Sequence, residues 1–190
     1  FDVLKENDVK IITLKKIYDL NNEYDEDYSE FEMFMARKEL KFITRRMNRG
    51  RIKSINDGCF VSGAPFGYRN AVINKKHTLE VYEPEAKYVR MIFDMYVNQS
   101  MGITSISRQL ANLGVLSKKN TPLHPTTIAR MLRNHTYIGK IVWNKSKSVK
   151  GKNTQEKTSK DDWLYVPGLH EPIIDEDTFN KAQDIINLKY

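Results

Sequence analysis

The stretch from Asp27 to Asp57 constrains the fold most, because it contains no proline and only one glycine, Gly50. Apolar side chains recur in it at alternating spacings of three and four residues, which places them on one face of a helix. We call this face the apolar stripe, and its residues are Met33, Ala36, Leu40, Ile43 and Met47. At 1.5 Å per residue, such a helix is roughly 45 Å long, more than the width of a small domain. We therefore predict a long helix from about 27 to 57 whose apolar stripe is an oligomer interface.

The charge of the chain is segregated along its length. Residues 41–160 hold 23 Lys and Arg but only 6 Asp and Glu, whereas residues 1–40 and 161–190 each carry a net charge of −5. A strongly basic middle region favours a polyanionic partner, and nucleic acid is the best match. A membrane surface fits less well, because no basic segment is paired with an apolar Trp/Phe/Leu face. Ordinary solvated helix faces are the alternative explanation.

Composition excludes several classes of protein. No apolar run approaches the roughly 18 residues of a membrane-spanning helix, and the single cysteine, Cys59, excludes a disulfide scaffold. The four histidines and Cys59 lack the spacing of metal ligands, so no metal site is predicted. The chain begins at Phe1 without a signal-peptide pattern, so we expect a piece of a longer cytoplasmic protein.

The pattern of apolar residues and turn formers predicts a mainly α-helical fold with little β-structure. Before the long helix we predict a helix end at 1–6, a buried strand over 8–14 and a loop over 21–27. After it we predict a linker over 58–70, then an all-helical block with helices over 84–98, 104–112 and 125–134. Strands over 137–143 and 163–166 should pair as a hairpin around the Lys-rich segment 145–160, which is predicted to be mobile or disordered. A helix over 175–188 ends the chain.

Two of these helices fit a helix-turn-helix unit. Thr104 is the predicted cap of the first, Gly114 follows its end, and Pro125 lies in the first turn of the second. The second helix turns four polar residues outward, which we expect to contact base edges in the major groove: Thr126, Thr127, Arg130 and Arg133.

Other residues are expected to contact phosphates and set the register on a nucleic acid. They are Arg45, Arg49, Arg51, Lys53, Arg69, Arg108, Lys118, Lys119, Tyr137 and Lys140. On this assignment, Arg130→Ala should relax sequence preference, whereas Lys118→Ala should weaken binding to every sequence about equally.

Three segments together resemble the large serine recombinases. Glu39, Ile43, Arg46 and Gly50, followed by Gly58, Gly63 and Pro65-Phe-Gly-Tyr68, resemble the end of the catalytic domain of that family. Residues 103–114 and 126–139 resemble its recombinase domain, and residues 168–175 are similar to the segment that leads into its zinc-ribbon domain. The resemblance implies four parts: catalytic-domain strand and helix 1–57, linker 58–70, DNA-binding recombinase domain 71–175, and helix 176–190 leading to a zinc ribbon.

The resemblance implies a site-specific DNA recombinase, encoded by a bacterium or a phage. In this family a serine attacks the phosphodiester and forms a phosphoserine link, and a tetramer then exchanges strands without ATP or a catalytic metal. The implied partners are a double-stranded attachment site and further copies of the protein, which self-associates as a dimer or tetramer. No cofactor is implied for this chain, whereas the zinc ribbon would hold a structural Zn²⁺.

Arg46 matches the family's active-site helix arginine, and a guanidinium there would stabilise charge on the reacting phosphate. A plain phosphate contact or an ion pair with Glu39 are the alternatives for Arg46. Leu40 stands where many members have arginine. The chain has no Tyr-x-Arg-x-Ser motif to supply the nucleophile, so we expect DNA binding without cleavage. A helix-turn-helix transcription regulator with a dimerising helix is the alternative function, and upstream sequence would discriminate the two.

Overall fold

A computed structural model of the chain describes residues 2–14, 16–148 and 154–189. The chain divides into two compact units, Phe1–Arg51 and Ile52–Tyr190. Helices dominate, and the described strands form small two-stranded antiparallel sheets. The predicted fold class, mainly helical with little sheet, is confirmed at this level.

The first unit begins with a short helix and a small hairpin. Helix α1 spans Asp2–Glu6, and strands β1 (Ile11–Ile12) and β2 (Ile17–Tyr18) pair antiparallel. The prediction of a buried strand over 8–14 is wrong, because only two of these residues are in β1 and Ile12 is 74% exposed. A hairpin of two pairs has too little apolar cover to bury both of its faces.

The long helix is confirmed and is longer than predicted. Helix α2 spans Glu23–Asn56, so its start lies four residues before Asp27. The side-chain oxygen of Asn22 accepts a hydrogen bond from the backbone amide of Tyr24 at 3.0 Å, which satisfies one of the free amides of the first turn. Three carboxylates in that turn also interact favourably with the positive end of the helix dipole. The loop predicted over 21–27 is therefore mostly helix.

Four helices build the second unit. They are α3 (Glu83–Val97), α4 (Ile103–Asn112), α5 (Pro125–Leu132) and α6 (Glu176–Lys189). All match predicted helices to within two residues at each end. One face of each of α3, α4 and α5 is buried, through Ala86, Val89, Ile92, Phe93, Tyr96, Ile106, Leu110, Ile128, Met131 and Leu132. The predicted cap of α4 is wrong. Gly102, not Thr104, is the N-cap residue, because the helix already begins at Ile103.

The hairpin of β3 (Tyr68–Ile73) and β4 (Lys76–Val81) was not predicted, since this region was assigned to a linker and an all-helical block. Its two turn residues, Asn74 and Lys75, have φ angles of 51° and 63°. Two-residue hairpin loops require such positive angles, which an Asn-Gly pair normally supplies. Lysine at the second position removes the usual sequence signal for a hairpin.

Four further strands are β5 (Lys140–Trp143), β6 (Ser146–Ser148), β7 (Gln155–Lys157) and β8 (Leu164–Pro167). The pairing of β5 with β8 confirms the predicted hairpin, although the strand starts later than predicted because His135–Ile138 forms a 3₁₀ turn. Strands β6 and β7 pair inside the segment predicted to be mobile or disordered. Residues 149–153 of that segment lie outside the described residues.

Residues 58–70, predicted to be a linker, belong to the second unit and contribute to its core. Phe66, Gly67 and Tyr68 are buried. Gly67 has a φ of +93°, and a β-carbon there would stand 2.8 Å from a methyl group of Val89. Glycine is therefore required at this position for both conformation and space. The carboxylate of Glu85 accepts a hydrogen bond from the Gly67 amide at 2.8 Å, which ties the segment to α3.

Two buried tyrosines connect three separate segments of the second unit. The Tyr68 hydroxyl donates to the Glu171 carbonyl oxygen at 2.8 Å, and the Tyr137 hydroxyl donates to the Phe66 carbonyl oxygen at 2.9 Å. Their rings stack with centroids 6.1 Å apart. Burial raises the pKa of both hydroxyls, so both stay protonated and act as donors. The start of β3, the 3₁₀ turn and the residues before α6 are thereby held together.

Removing the Tyr68 hydroxyl should therefore destabilise the second unit. We expect Tyr68→Phe to lower the free energy of unfolding by about 1–3 kcal/mol, because the part-buried Glu171 carbonyl oxygen loses its donor. Tyr82→Phe is the matched control, since the Tyr82 side chain is exposed. Urea denaturation of both variants measures the difference. Equal midpoints for the two variants would contradict this account of the core.

Stability should also fall as the solution becomes acidic. His170 is buried with Nε2 2.9 Å from the Thr136 carbonyl oxygen, and burial lowers the pKa of its imidazole. The unfolded chain, with an ordinary histidine pKa of about 6.5, binds this proton more readily, so stability is lost below about pH 6.5. We expect His170→Gln to flatten the pH dependence of unfolding between pH 7 and 5, by at most about 1.4 kcal/mol per pH unit. His77→Gln, which replaces an exposed histidine, should keep the wild-type pH dependence of unfolding. If His170→Gln also keeps the wild-type pH dependence, the assignment to His170 is refuted.

Candidate nucleic-acid interface

Helix α5 is fixed at its start by hydrogen bonds from two directions. The Ser107 hydroxyl of α4 donates to the Leu123 carbonyl oxygen at 2.7 Å, which joins the two helices just before α5 begins. His124 is the N-cap residue, and its Nδ1 accepts from the Thr126 amide at 3.4 Å. Pro125 follows at the first helical position, as predicted. These contacts determine where the N-terminus of α5 points.

The end of α5 is held equally well. The Gln183 side chain of α6 donates to the Leu132 carbonyl oxygen at 2.6 Å, which satisfies one of the free carbonyls of the last turn. Ile128 and Leu132 are fully buried. The opposite face consequently faces solvent: Thr126, Arg130 and Arg133 are exposed and Thr127 is half-buried. Three of the four residues predicted to contact bases thus lie on a helix that is held at both ends, and Arg133 is the C-cap residue that follows it.

The connection between α4 and α5 is longer than the turn of three or four residues typical of a helix-turn-helix unit. It covers residues 113–124 and contains a tight loop closed by a hydrogen bond of 2.7 Å from the Ser117 amide to the Thr121 carbonyl oxygen. Gly114 has a φ of +70°, as expected for a glycine that terminates a helix. The loop presents Lys119 to solvent.

Two of the residues predicted to contact phosphates have structural roles instead. Tyr137 is fully buried, so the prediction that its side chain binds a phosphate is wrong. The Lys118 ammonium donates to the carbonyl oxygens of Ala64 and Tyr68, at 3.1 and 2.5 Å. Lys118 therefore anchors the loop between α4 and α5 to the segment before β3, and its replacement would perturb the fold as well as the surface charge.

Ion pairs reduce the availability of two further cations. Arg69 pairs with Glu80 at 3.0 Å, and Lys140 pairs with Glu176. By contrast, Arg108, Lys119 and Arg130 are exposed and form no ion pair with any residue that the structure describes. The cations best placed for an anionic partner therefore lie on α4, on α5 and on the loop between them.

The first unit supplies a second basic surface on α2. Arg45, Arg46 and Arg49 line one end of an open groove between α2 and the β1–β2 hairpin. Arg51, the last residue of this unit, is also exposed, as is Lys53 at the end of α2, which belongs to the second unit. The alternative of an ion pair between Arg46 and Glu39 is not observed in the described part of the chain.

The apolar stripe of α2 is exposed. Leu40 and Met47 are each 64% exposed, and Met33, Ala36 and Ile43 are exposed too. Large apolar side chains outside the predicted stripe, such as Phe34 and Phe42, are also exposed. The apolar surface is therefore broader than the periodicity predicted, and no described residue of the first unit covers it.

No group of three or more metal-ligating side chains occurs in the described ranges. None of the helices there is both long and apolar enough to cross a membrane.

Three further lysines, which were not among the predicted site residues, lie at the β3–β4 turn or after β5. Lys75 and Lys76 are exposed at the turn of the β3–β4 hairpin. Lys145 follows β5 and is half-buried. The hairpin turn had no glycine to signal it, and Lys145 was indistinguishable from the other lysines of its Lys-rich segment.

Known proteins with similar sequences and structures point to one family. The model of the family named Recombinase matches residues 83–189, more than half of the chain. A protein of Bacillus subtilis (strain 168) named "Putative DNA recombinase" is 29% identical over 103 residues, which cover 51% of this chain and 20% of that protein.

Two solved structures are each 30% identical and cover 75% of this chain. One, described as "Sequence Requirements of the Listeria innocua prophage attP site", has a TM-score of 0.53 and is covered over 51% of its length. The other, "Crystal Structure of a LSR-DNA Complex", has a TM-score of 0.52 and is covered over 38%. The chain therefore spans about half or less of each relative. Because the family match covers more than half of the chain, this chain belongs to the recombinase family, as its resemblance to the large serine recombinases predicts.

Proposed function

We propose that this chain is the DNA-binding part of a site-specific serine recombinase and that α5 contacts the bases of its target. The observation that carries the proposal is the outer face of α5, where Thr126 and Arg130 are exposed on a helix held at both ends, with the exposed Arg133 directly after it. A helix can enter the major groove of B-DNA, and a fixed orientation is what base recognition requires. The solved relatives, one of them described as a complex with DNA, support the DNA-binding part of the proposal.

Each side chain on this face has a chemically suitable target. The Arg130 guanidinium can donate two hydrogen bonds to O6 and N7 of a guanine, the commonest specific contact in protein–DNA complexes. Thr126 can contact a thymine methyl group or donate from its hydroxyl. We assign Arg133 to the same surface at the far end of α5, where it contacts either a base or the adjacent phosphate.

Phosphate contacts are assigned to the cations that the fold leaves exposed. In the second unit these are Arg108 on α4 and Lys119 in the loop before α5, and in the first unit they are Arg45 and Arg49 on α2. Such contacts release counterions from the duplex and supply affinity without sequence information. Arg69 and Lys140 contribute less, because their carboxylate partners would have to be displaced.

Strand exchange belongs to the whole recombinase in this proposal. The nucleophilic serine and its phosphoserine intermediate lie outside this chain, which has no Tyr-x-Arg-x-Ser motif, so the chain binds DNA and does not cleave it. Arg46, exposed beside the groove of the first unit, is assigned to the phosphate that the serine attacks. The DNA target that we propose for this chain is the attachment site of the recombinase.

Self-association is assigned to α2. Its exposed apolar stripe and the neighbouring Phe34 and Phe42 form a larger apolar surface than an isolated soluble helix normally presents. A second copy of the same helix would cover this surface, in the way that heptad positions pack in a coiled coil. The basic half of the helix would then be held beside the duplex by its partner.

Loss of the Arg130 guanidinium should change which DNA is preferred. Selection from a pool of randomised duplexes should give a defined motif for the wild type, and Arg130→Ala should lose preference at one or two positions, at a cost of about 1–3 kcal/mol for the preferred base. Arg108→Ala removes the same charge from α4 and is the matched control, in place of Lys118, which supports the fold. The control should bind more weakly yet select the wild-type motif. Identical motifs from all three proteins would refute the placement of α5 against base edges.

A further inference from the structure

A small crevice opens beside the C-terminal end of α5. It has a volume of about 190 Å³ and lies between residues 60–65 and strand β5. Its polar lining comes from Ser62, Asn134, Thr136 and Lys145, and the remaining lining is apolar or glycine: Phe60, Val61, Gly63, Pro65, Ile141, Val142 and Trp143. Asn134 follows α5 by two residues, so the crevice adjoins the helix proposed to contact bases.

Lys145 is the only charged side chain that lines the crevice, and it has no anionic partner among the described residues. Its ammonium lies 5.3 Å from the centre of the Trp163 ring. Burial lowers the pKa of this ammonium. A half-buried cation without a carboxylate is unfavourable in the free protein, and among the described residues only the face of the Trp163 ring compensates its desolvation. An anion in the crevice would complete the site.

Other residues that line the crevice carry hydrogen-bond donors. The backbone amides of residues 61–63 make no hydrogen bond within the described chain, and the hydroxyl of Ser62 stands beside them. The Asn134 side-chain oxygen accepts from the Thr136 amide at 3.2 Å, which leaves its NH₂ group to donate. No atom lies within 4 Å of the position of a β-carbon on Gly63, so the space above that residue is open.

These features point to a phosphate group as the ligand, because it is tetrahedral, anionic and accepts several hydrogen bonds at once. We propose that the crevice binds one backbone phosphate of the DNA, with Lys145 as its cation and the amides of residues 61–63 as donors. The proposal rests on the proposed DNA-binding function and adds a phosphate contact just beyond the C-terminus of α5. Such a contact would set the position of α5 along the groove.

Lys147 provides a matched control, because it lies two residues away, is exposed and carries the same charge. We expect Lys145→Met to weaken binding to a selected duplex by tenfold or more and to reduce the salt slope of binding by about one. We expect Lys147→Met to weaken it by less than threefold. Fluorescence anisotropy over a range of salt concentrations measures both effects. Equal losses in the two variants, or no loss in Lys145→Met, would overturn the proposal.

Thermal unfolding of the free protein separates a binding role from a structural one. Lys145→Met should raise the unfolding midpoint of the unbound chain, since it removes a half-buried cation without a partner, while Lys147→Met should leave it unchanged. A lower midpoint for Lys145→Met would show that the ammonium supports the fold and would overturn the proposal. Lys145→Arg keeps the positive charge and should retain DNA affinity within a few fold; a loss as large as that of Lys145→Met would also overturn the proposal.

A test with inorganic phosphate distinguishes a site for the free phosphate ion from a site for a backbone phosphate of DNA. If phosphate ion alone stabilises the wild type through Lys145 as strongly as duplex DNA does, the crevice is a site for the free ion and the proposal is wrong. If the wild type binds no duplex at all, the proposed function fails as well. A wild-type complex that is unaffected by Lys145→Met overturns only the assignment of the crevice.

Discussion

Two hydrogen bonds from buried tyrosines hold the second unit in the shape on which its surface depends. Tyr68 and Tyr137 join the start of β3, the 3₁₀ turn after α5 and the residues before α6, which are far apart in sequence. Because α6 in turn donates to the last turn of α5 through Gln183, the orientation of α5 follows from this core. The orientation of the proposed base-reading face is thus set by contacts within the second unit.

The helices of the second unit could be predicted from sequence because their stabilising features are local. Apolar residues at helical spacing, Pro125 in the first turn and Gly114 after the last turn each depend on near neighbours in the chain. The β3–β4 hairpin was missed because Asn74 and Lys75 adopt a turn that glycine normally signals. Likewise, no local pattern shows that the Tyr137 ring is buried or that the Lys118 ammonium binds two distant carbonyl oxygens.

Part of the candidate site could also be predicted, because helical periodicity is a local property of the sequence. The outward position of Thr126, Arg130 and Arg133 follows from helical periodicity, and the structure has all three exposed. The crevice at Lys145 joins segments about eighty residues apart, so charge counting alone could not separate this lysine from its neighbours. In the first unit, periodicity located the apolar stripe of α2 but not the additional exposed phenylalanines, which lie outside the heptad pattern.

The central claim is that the cations left exposed by this fold bind the phosphates of a duplex. Its most direct test is the affinity of the 190-residue chain for double-stranded DNA as a function of salt concentration. If six to ten phosphates are neutralised, the logarithm of the affinity should fall linearly with the logarithm of salt concentration, by about 10³–10⁵-fold between 50 and 200 mM. No complex at 50 mM salt, or an affinity that does not change with salt, would contradict the account.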